Sequence, residues 1–521
     1  MDVTRAALSL VEAWCTGNGL RVNPTKSNAI VFTKNRRFVP GKTLRIFGGE
    51  IPMVKEVRYL GVVLDRELSW RPHLESKLIK TSRAFWLCRR AIGKTWGLKP
   101  RIVMFIYTMA IRPILTFAAL VWWPRVKLKT AITSLAKFQR VICLTVTGAL
   151  RSTPTAALET LLNLAPLHIY VEHIALGTAL RLKTQGLLRV REDNVGHSRI
   201  VTVATLENPL FGMPNDVMIK RTAETARCFR VLTPPEVSWR HGRHPVLEHC
   251  GLVIFTDGSR RSGRAGASCV IPQLNLEFSQ SLGNHTTVMQ AETYALVMAM
   301  NVIRMRGFEN QSIAVVSDSK FVLHMLKGEV FRTKLSRECW DKLQEVGMKN
   351  NITLIWCPAH ADVQGNSRAD ILAKDAAMKE FVGPLPVLGI SLETLKEETV
   401  KRLGEEQKTF WSNCQGCRQA KALISRPSLM WSNFLLNLSR TNLRAVVGVF
   451  TGHFLNYHLF RMGLVTAASC RGCGVALETV EHFLWECPTL DTCREEVAVS
   501  VEEQDCMPGK ILKYIQQSEW F

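Results

Sequence analysis

The sequence predicts a multidomain α/β protein whose central unit is a mixed five-stranded sheet with flanking helices. The chain has 521 residues, which at roughly 150 residues per domain corresponds to three or four units. Within residues 252–378 the apolar pattern changes repeatedly between strand and helix spacing, as in a sheet with helices packed against it. Strands are predicted at 252–256, 266–271, 275–282, 312–317 and 352–357, with helices at 288–306 and 367–378.

The regions around this sheet have a different texture. Residues 1–65 predict an amphipathic helix ending near Gly17, followed by strand-like runs at 29–32 and 59–64. Apolar spacing is helical over 72–185 and again over 379–465. Residues 186–250 contain five prolines and little periodicity, which indicates a connecting segment.

The net charge of +23 is concentrated in the first half of the chain. Residues 1–249 contain 38 basic and 16 acidic side chains, whereas residues 250–521 contain 29 and 28. Between Glu75 and Glu159 there are 15 Lys or Arg residues and no Asp or Glu. A long segment of one sign favours a polyanionic partner, and nucleic acid more than an anionic membrane surface.

Cysteine usage and hydropathy bear on where the protein works. The 15 cysteines are an odd number scattered along the chain, and no secretory leader opens it. We therefore expect reduced thiols and an intracellular location, in the cytoplasm and the nucleus. The most apolar segment, 101–123, is interrupted by Arg112 and Pro113, so we interpret it as buried helix rather than a membrane span.

Four carboxylates are placed where the predicted elements end. Asp257 and Asp318 each follow an apolar run, so they are expected at the carboxyl edge of neighbouring strands, where open sheets usually bind ligands. Glu292 lies on the predicted helix beside them, and Asp370 lies in the last helix. His360 precedes Asp370 by ten residues on a loop that could reach the same site, so we treat it as a catalytic candidate.

This cluster predicts a metal site. Several carboxylates in one place repel one another, and divalent cations relieve that repulsion. Oxygen ligands select magnesium, with manganese as a possible substitute, rather than zinc. Two such ions can activate a water and stabilise the leaving oxygen of a phosphodiester displacement. A single Asp at a strand end is more often a turn residue, but the ordered series favours the metal site.

The motifs TDGS (256–259), AET (291–293), SDS (317–319) and the segment 360–370 resemble type 1 ribonuclease H, in the same order. The resemblance covers about 125 residues and implies magnesium-dependent endonucleolytic cleavage of the RNA strand of an RNA/DNA hybrid. It implies that Asp257 bridges two metal ions and that Glu292, Asp318 and Asp370 complete their coordination. His360 would assist proton transfer or product release.

The flanking segments resemble a reverse transcriptase. GLRVNPTKSNAIVF (19–32) and RYLGVVLD (58–65) resemble the last two conserved motifs of its palm. The basic helical region after them, with IRPILTFAALVWW (111–123), resembles the thumb and connection of non-LTR retrotransposon enzymes of the jockey and I type. The family's adjacent pair of catalytic aspartates is missing, since no Asp-Asp pair occurs in the chain. We therefore expect a truncated copy of such a polyprotein, without polymerase activity of its own.

A Cys/His cluster near the end predicts a zinc site. Cys470, Cys473, His482 and Cys487 have the spacing C-x2-C-x8-H-x4-C, which can close a tetrahedral shell around one structural zinc ion. TGHF (451–454) and ETVEHFLWECP (478–488) resemble the Cys-Cys-His-Cys finger at the carboxyl end of the same retrotransposons. Four reduced residues without metal remain the alternative. A second C-x2-C pair, Cys414 and Cys417, has no evident partners.

Together these patterns predict seven segments and one leading function. The leading hypothesis is a ribonuclease H that also binds RNA and DNA. Two alternatives stay open: a nucleic-acid-binding relic without catalysis, and a stand-alone cellular ribonuclease H, which the flanks disfavour. The segments are a palm end (1–71), a helical thumb and connection (72–185), a linker (186–250), the ribonuclease H domain (251–378), a helical segment (379–465), a zinc-finger-like motif (466–492) and a C-terminal tail (493–521).

Overall fold

The computed structural model describes residues 2–35, 43–189, 196–239, 244–358, 363–497 and 507–520. The chain forms two compact units. The first combines Met1–Ala175 with Arg402–Phe521, and the second is Leu176–Lys401. Each unit is described separately below.

The chain begins with a helix and two small hairpins: α1 (Asp2–Gly17), β1 (Leu44–Ile46), β2 (Gly49–Ile51), β3 (Glu56–Tyr59) and β4 (Val62–Asp65). The strand predicted at 29–32 is wrong, because this stretch makes only an isolated bridge between Ala29 and Met53. The run predicted at 59–64 is a hairpin rather than one strand. Leu60 and Gly61 both have positive φ, the backbone of a two-residue hairpin turn, and glycine adopts it without strain.

The predicted helical region is present. A π-helix at Tyr107–Ile111 precedes Pro113, near the interruption predicted from the sequence. No single helix among the described residues is long and apolar enough to cross a membrane. By length and composition alone, one helix pair with a 51° bend would be sufficient, namely Pro100–Thr116 with Ala119–Lys127. The helices are α2 (Arg71–Arg89), α3 (Pro100–Ile106), α4 (Arg112–Thr116), α5 (Ala119–Trp122), α6 (Lys129–Thr147), α7 (Thr155–Leu161) and α8 (Leu167–Thr184).

The second unit is built on one six-stranded mixed sheet. Its helices are α9 (Arg199–Glu207), α10 (Pro245–Glu248), α11 (Val288–Met305), α12 (Lys320–Lys327), α13 (Lys334–Gly347) and α14 (Gln364–Met378). Its strands are β5 (Val217–Thr222), β6 (Phe229–Leu232), β7 (Leu252–Arg261), β8 (Arg264–Ile271), β9 (Leu276–Asn284), β10 (Ser312–Ser317), β11 (Val330–Thr333) and β12 (Asn351–Trp356). The sheet order is β6-β12-β10-β7-β8-β9, while β5 and β11 pair separately.

All five predicted strands belong to this sheet, and a sixth strand was not predicted. Strands β7, β8 and β9 are antiparallel, whereas β10, β12 and β6 run parallel to β7. The added strand β6 comes from the segment expected to be a connection. Its side chains alternate between buried and exposed positions, and Phe229 packs edge-on against Trp340 of α13 at 5.1 Å between ring centroids.

Side-chain alternation along β7 supplies two cores. Ile254 belongs to a cluster that includes residues of α11 and α13. The next residue, Phe255, belongs to a different cluster that includes Ala369 of α14. Because successive strand residues face opposite sides of a sheet, helices cover both faces of the sheet and bury its apolar strands.

The carboxyl-terminal helices are α15 (Leu392–Asn413), α16 (Arg418–Leu423), α17 (Leu429–Asn437), α18 (Arg440–Thr451), α19 (Asn456–Arg461), α20 (Asp491–Val497) and α21 (Pro508–Ser518). Helices α17 and α18 pack against α3, α6 and α7 of the first unit. Ser432 donates a hydrogen bond to the Leu162 carbonyl at 2.9 Å. The segment predicted as a C-terminal tail contains a packed helix, because α21 contacts α17 and α18.

Candidate active site and metal centre

The strand register brings Asp257 and Asp318 to one edge. Thr256 of β7 pairs with Ser317 of β10 in a parallel ladder, and the two aspartates are the next residues along each strand. Strand β7 does not end there, because it continues to Arg261 in antiparallel pairing with β8. Asp257 therefore lies within a strand but one residue beyond the end of its parallel neighbour.

Helix α11 carries Glu292 to the same edge. The helix begins with a capping box in which Thr287 Oγ1 accepts from the Gln290 N–H and Gln290 Oε1 accepts from the Thr287 N–H. The helix also approaches β7 very closely. A Cβ placed on Gly258 would lie 2.2 Å from the Glu292 nitrogen, so only glycine permits this contact.

The structure brings three of the four predicted carboxylates together. One oxygen from each of Asp257, Glu292 and Asp318 lies within 4.8 Å of the others. Asp257 and Glu292 are 4% and 7% exposed. Burial raises the pKa of Asp257 to about 7, and the charges of Asp318 and Asp370 act in the same direction. Burial and the nearby charges of Asp257 and Asp318 raise the pKa of Glu292 well above its ordinary value.

The other two predicted site residues, Asp370 and His360, are not part of this group of three carboxylates. Asp370, on α14, is half-buried and is not within the three-carboxylate group, although its charge contributes to the raised pKa of Asp257. Its Oδ2 accepts a hydrogen bond from Lys374 Nζ at 2.6 Å. His360 lies outside the described residues, so its role stays a prediction.

Three supporting residues were missed by sequence reasoning. Lys374 follows Asp370 by one helical turn, and that i,i+4 spacing was a usable signal. Gly258 directly follows Asp257, but the sequence does not indicate that α11 contacts its backbone. Asp216 is buried and accepts from the Leu335 N–H at 2.8 Å and from Gln290 Nε2 at 3.0 Å. It links the proline-rich segment to the start of α11, a contact between residues far apart in sequence.

The four zinc candidates form one cluster in the first unit. One ligand atom from each of Cys470, Cys473, His482 and Cys487 lies within 4.8 Å of the others. The Sγ atoms of Cys470 and Cys487 are 3.6 Å apart, and Cys473 Sγ is 3.4 Å from His482 Nε2. Backbone N–H groups of Ala476 and Val475 lower the pKa of Cys473 to about 6, which favours a thiolate.

This cluster is packed into the carboxyl-terminal helices. Phe483 is fully buried and contacts the rings of Tyr514 and Trp520 at 5.2 and 5.0 Å between centroids. The buried Glu478 is paired with Arg471 at 2.7 Å. Residues beyond the zinc-finger-like motif (466–492) therefore supply the core on which the cluster packs.

Comparison with known proteins agrees with this geometry. The RNase H family profile matches residues 249–378. A ribonuclease H of Rhizobium meliloti is 30% identical over 136 residues, which cover 23% of this chain and 86% of that protein. The chain therefore belongs to the ribonuclease H family through this domain.

The chain is also similar to polyproteins of R1-type non-LTR retrotransposons. A putative 115 kDa protein in the type-1 retrotransposable element R1DM of Drosophila melanogaster is 27% identical over 174 residues, 33% of this chain and 17% of that protein. A retrovirus-related Pol polyprotein from the element R1 of Nasonia vitripennis is 27% identical over 177 residues, 32% of this chain and 51% of that protein. The chain thus spans about half or less of the length of these relatives.

Proposed function

We propose that this chain cuts the RNA strand of RNA/DNA hybrids endonucleolytically at the carboxylate cluster of the second unit. The observation that carries the proposal is the convergence of Asp257, Glu292 and Asp318 within 4.8 Å, in a domain matched by the RNase H family. Cleavage would leave a 3′-hydroxyl and a 5′-phosphate. The 2′-hydroxyl of the cut strand would distinguish RNA from DNA.

The donor set fits magnesium, with manganese as a substitute. Oε2 of Glu292 is buried and has no hydrogen-bond partner among the described residues, which is costly for a carboxylate unless a cation is bound there. Asp257, Glu292, Asp318 and Asp370 would hold the metal. Bound magnesium supplies Lewis-acid activation of the attacking water and charge stabilisation of the leaving oxygen.

The protein's own residues would prepare this chemistry. Burial of Asp257 and Glu292 lowers the local dielectric and would strengthen the attraction of these carboxylates for a divalent cation. The capping box and the Gly258 contact fix Glu292 opposite Asp257. Lys374 pairs with the Asp370 carboxylate on α14 and offsets part of the negative charge there. His360 would assist proton transfer or product release from its loop.

The Cys/His cluster fits one structural zinc ion. Cysteine thiolates and a histidine Nε2 are zinc ligands, and four protein ligands leave no position for a reactive water. We infer that Cys470, Cys473, His482 and Cys487 hold this ion and that the surrounding segment binds RNA or DNA. Polymerase activity is not part of the proposal, because the chain lacks the adjacent aspartate pair.

The test is cleavage of a labelled RNA/DNA hybrid by the full chain in magnesium. Asp257→Asn removes a metal ligand with little change in size, so we expect cleavage to be abolished and hybrid binding to stay nearly intact. Asp375→Asn, an exposed aspartate on α14, is the matched control and should cleave normally. Turnover by Asp257→Asn would refute the site assignment, whereas binding without cleavage by wild-type protein would support the relic alternative.

A further inference from the structure

The loop between α2 and α3 presents an exposed tryptophan on an ordered support. Trp96 is 63% exposed, which is unusual for a large aromatic side chain. The loop is a compact turn rather than an open coil. The Gly93 N–H donates to the Trp96 carbonyl at 2.9 Å, and Ile92 bridges to Gly97.

The Trp96 side chain has one supported side. A Cβ placed on Gly93 would lie 2.1 Å from Trp96 Nε1 and 2.4 Å from Cε2. The indole therefore rests directly on the backbone of Gly93, while much of its surface faces solvent. A planar ring that is held on one side and open elsewhere is the arrangement on which a nucleobase can stack.

Exposed basic residues lie close to Trp96 in the sequence. Arg90, Lys94, Lys99 and Arg101 are all exposed, and they lie in the 83-residue stretch that has no acidic residue. An apolar surface for a protein partner is usually bordered by charges of both signs. Basic residues near an exposed aromatic ring, without acidic residues among them, complement the negative charge of a phosphate backbone.

Arg440 of α18 holds the loop through hydrogen bonds to its backbone. Its guanidinium is buried and donates to the carbonyl of Leu98 at 2.7 Å, to that of Gly93 at 3.4 Å and to that of Thr145 at 3.1 Å. Arg440 is thus a positioning residue that joins both ends of the loop to α6. A loop held in this way loses little conformational entropy when a ligand binds.

We propose that loop 90–99 is a binding site for single-stranded nucleic acid, in which Trp96 stacks on an unpaired base and Lys94 and Lys99 contact the adjacent phosphates. Stacking uses the face of a base and not its edges, so the site accepts RNA and DNA and has little sequence preference. It lies in the first unit and requires no metal. Its failure would leave the proposed hybrid cleavage at Asp257 unaffected.

The experiment measures binding by the full chain, in zinc-containing buffer without magnesium, to three labelled 12-residue strands. These are single-stranded RNA, single-stranded DNA and an abasic DNA that keeps the phosphates. Trp96→Ala should weaken binding to RNA and DNA by about tenfold and leave binding to the abasic strand unchanged. Trp96→Phe should retain most of the affinity. Trp14→Ala, at an equally exposed tryptophan (62%) on α1, should change nothing.

A second pair of substitutions tests the phosphate contacts without touching the ring. Combined Lys94→Gln and Lys99→Gln should reduce the slope of log affinity against log salt by roughly 0.7 per lysine on single strands. Equal weakening on normal and abasic strands by Trp96→Ala would overturn base stacking. Unchanged binding by both the Trp96 and the lysine variants would overturn the site.

Discussion

Lys374 Nζ lies 2.6 Å from Asp370 Oδ2, one turn further along the same helix. The positive charge of Lys374 also lowers the pKa of Asp257, against the stronger effect of burial. This lysine therefore stabilises the ionised carboxylates, but its positive charge also repels the cations that the cluster would bind. Both partners are partly exposed to solvent, so the effect should be modest because of screening.

We expect Lys374→Ala to reduce the magnesium concentration required for half-maximal hybrid cleavage by about threefold, as removal of a partly screened positive charge worth below about 1 kcal/mol would do. A magnesium titration of initial cleavage rates measures this. Arg368→Ala is the control, because Arg368 is an exposed cation on the same helix that pairs with Glu277. A higher magnesium requirement for Lys374→Ala would show that the lysine acts by holding Asp370 in place.

The contact between Gly258 and α11 makes a second prediction. Gly258→Ala would force a Cβ to within 2.2 Å of the Glu292 nitrogen, so the helix must move and Glu292 must leave its position opposite Asp257. We expect a loss of about 1–3 kcal/mol in unfolding free energy and a large loss of hybrid cleavage. Gly251→Ala, whose Cβ would have ordinary contacts at 3.4 Å and beyond, should be tolerated in both thermal unfolding and cleavage assays.

The parts of the fold that could be predicted are those that local periodicity determines. Five of the six strands of the second unit's sheet and the helices α11 and α14 have apolar residues at strand or helix spacing, and parallel pairing then places Asp257 and Asp318 at one edge. The run at 59–64 was apolar throughout and concealed a turn at Leu60 and Gly61. Strand β6 has four residues in a proline-rich segment, which is too short for its alternation to be distinguished from chance.

Long-range packing explains the remaining differences. Nothing local in the segment 379–465 indicates that Arg440 would reach three carbonyls more than 290 positions away. The same holds for Trp520, whose ring covers Phe483 beside the cysteine cluster. The sequence pointed to residues that the structure gathers in two clusters, because metal-ligand chemistry constrains residue type. The residues that position them were determined by contacts that the sequence does not display.

The buried Glu159 predicts a pH dependence of stability. Burial raises the pKa of Glu159 to about 7, although Gln139 Nε2 donates to it at 2.7 Å. Between pH 4.5 and 7 the folded state keeps a proton that the unfolded state has lost, so the unfolding free energy falls as the pH rises through this window. The loss should be on the order of 3 kcal/mol.

Thermal unfolding between pH 5 and 8 tests this expectation. Glu159→Gln should make the decline shallower, since a neutral amide has no proton to lose, while the exposed Glu75→Gln should leave it unchanged. The decline that remains would come from other buried carboxyl groups with raised pKa values, Asp257 and Glu292 among them. Parallel pH profiles for wild type and Glu159→Gln would show that Glu159 is already ionised in the folded protein.

We expect no primer extension on an RNA template by the full chain. The chain has no adjacent aspartate pair to hold the metal ions that nucleotide transfer requires. Incorporation of labelled nucleotides by protein free of contaminating polymerase would mean that the interpretation of residues 1–71 as a palm end without its catalytic part is wrong. Hybrid cleavage by the same preparation provides the activity control.

The last prediction concerns the cysteine cluster of the first unit. We expect one zinc ion per chain in reduced protein, held by Cys470, Cys473, His482 and Cys487. Cys473→Ser should lose the zinc and weaken nucleic-acid binding, because the thiolate favoured by the lowered pKa of Cys473 is removed. Cleavage of short hybrids should persist, since the carboxylate cluster belongs to the other compact unit.

Cys414→Ser is the matched control for this experiment. Cys414 also belongs to a C-x2-C pair, but the pair lies outside the metal-competent clusters found among the described residues, so zinc content and binding should be unchanged. Metal analysis of the wild type and both variants, with hybrid binding and cleavage measured on the same samples, separates the possibilities. Absence of zinc from reduced wild-type protein prepared without a chelator would refute the zinc site. Loss of cleavage in a folded Cys473→Ser protein would show that hybrid cleavage at the carboxylate cluster depends on the cysteine cluster.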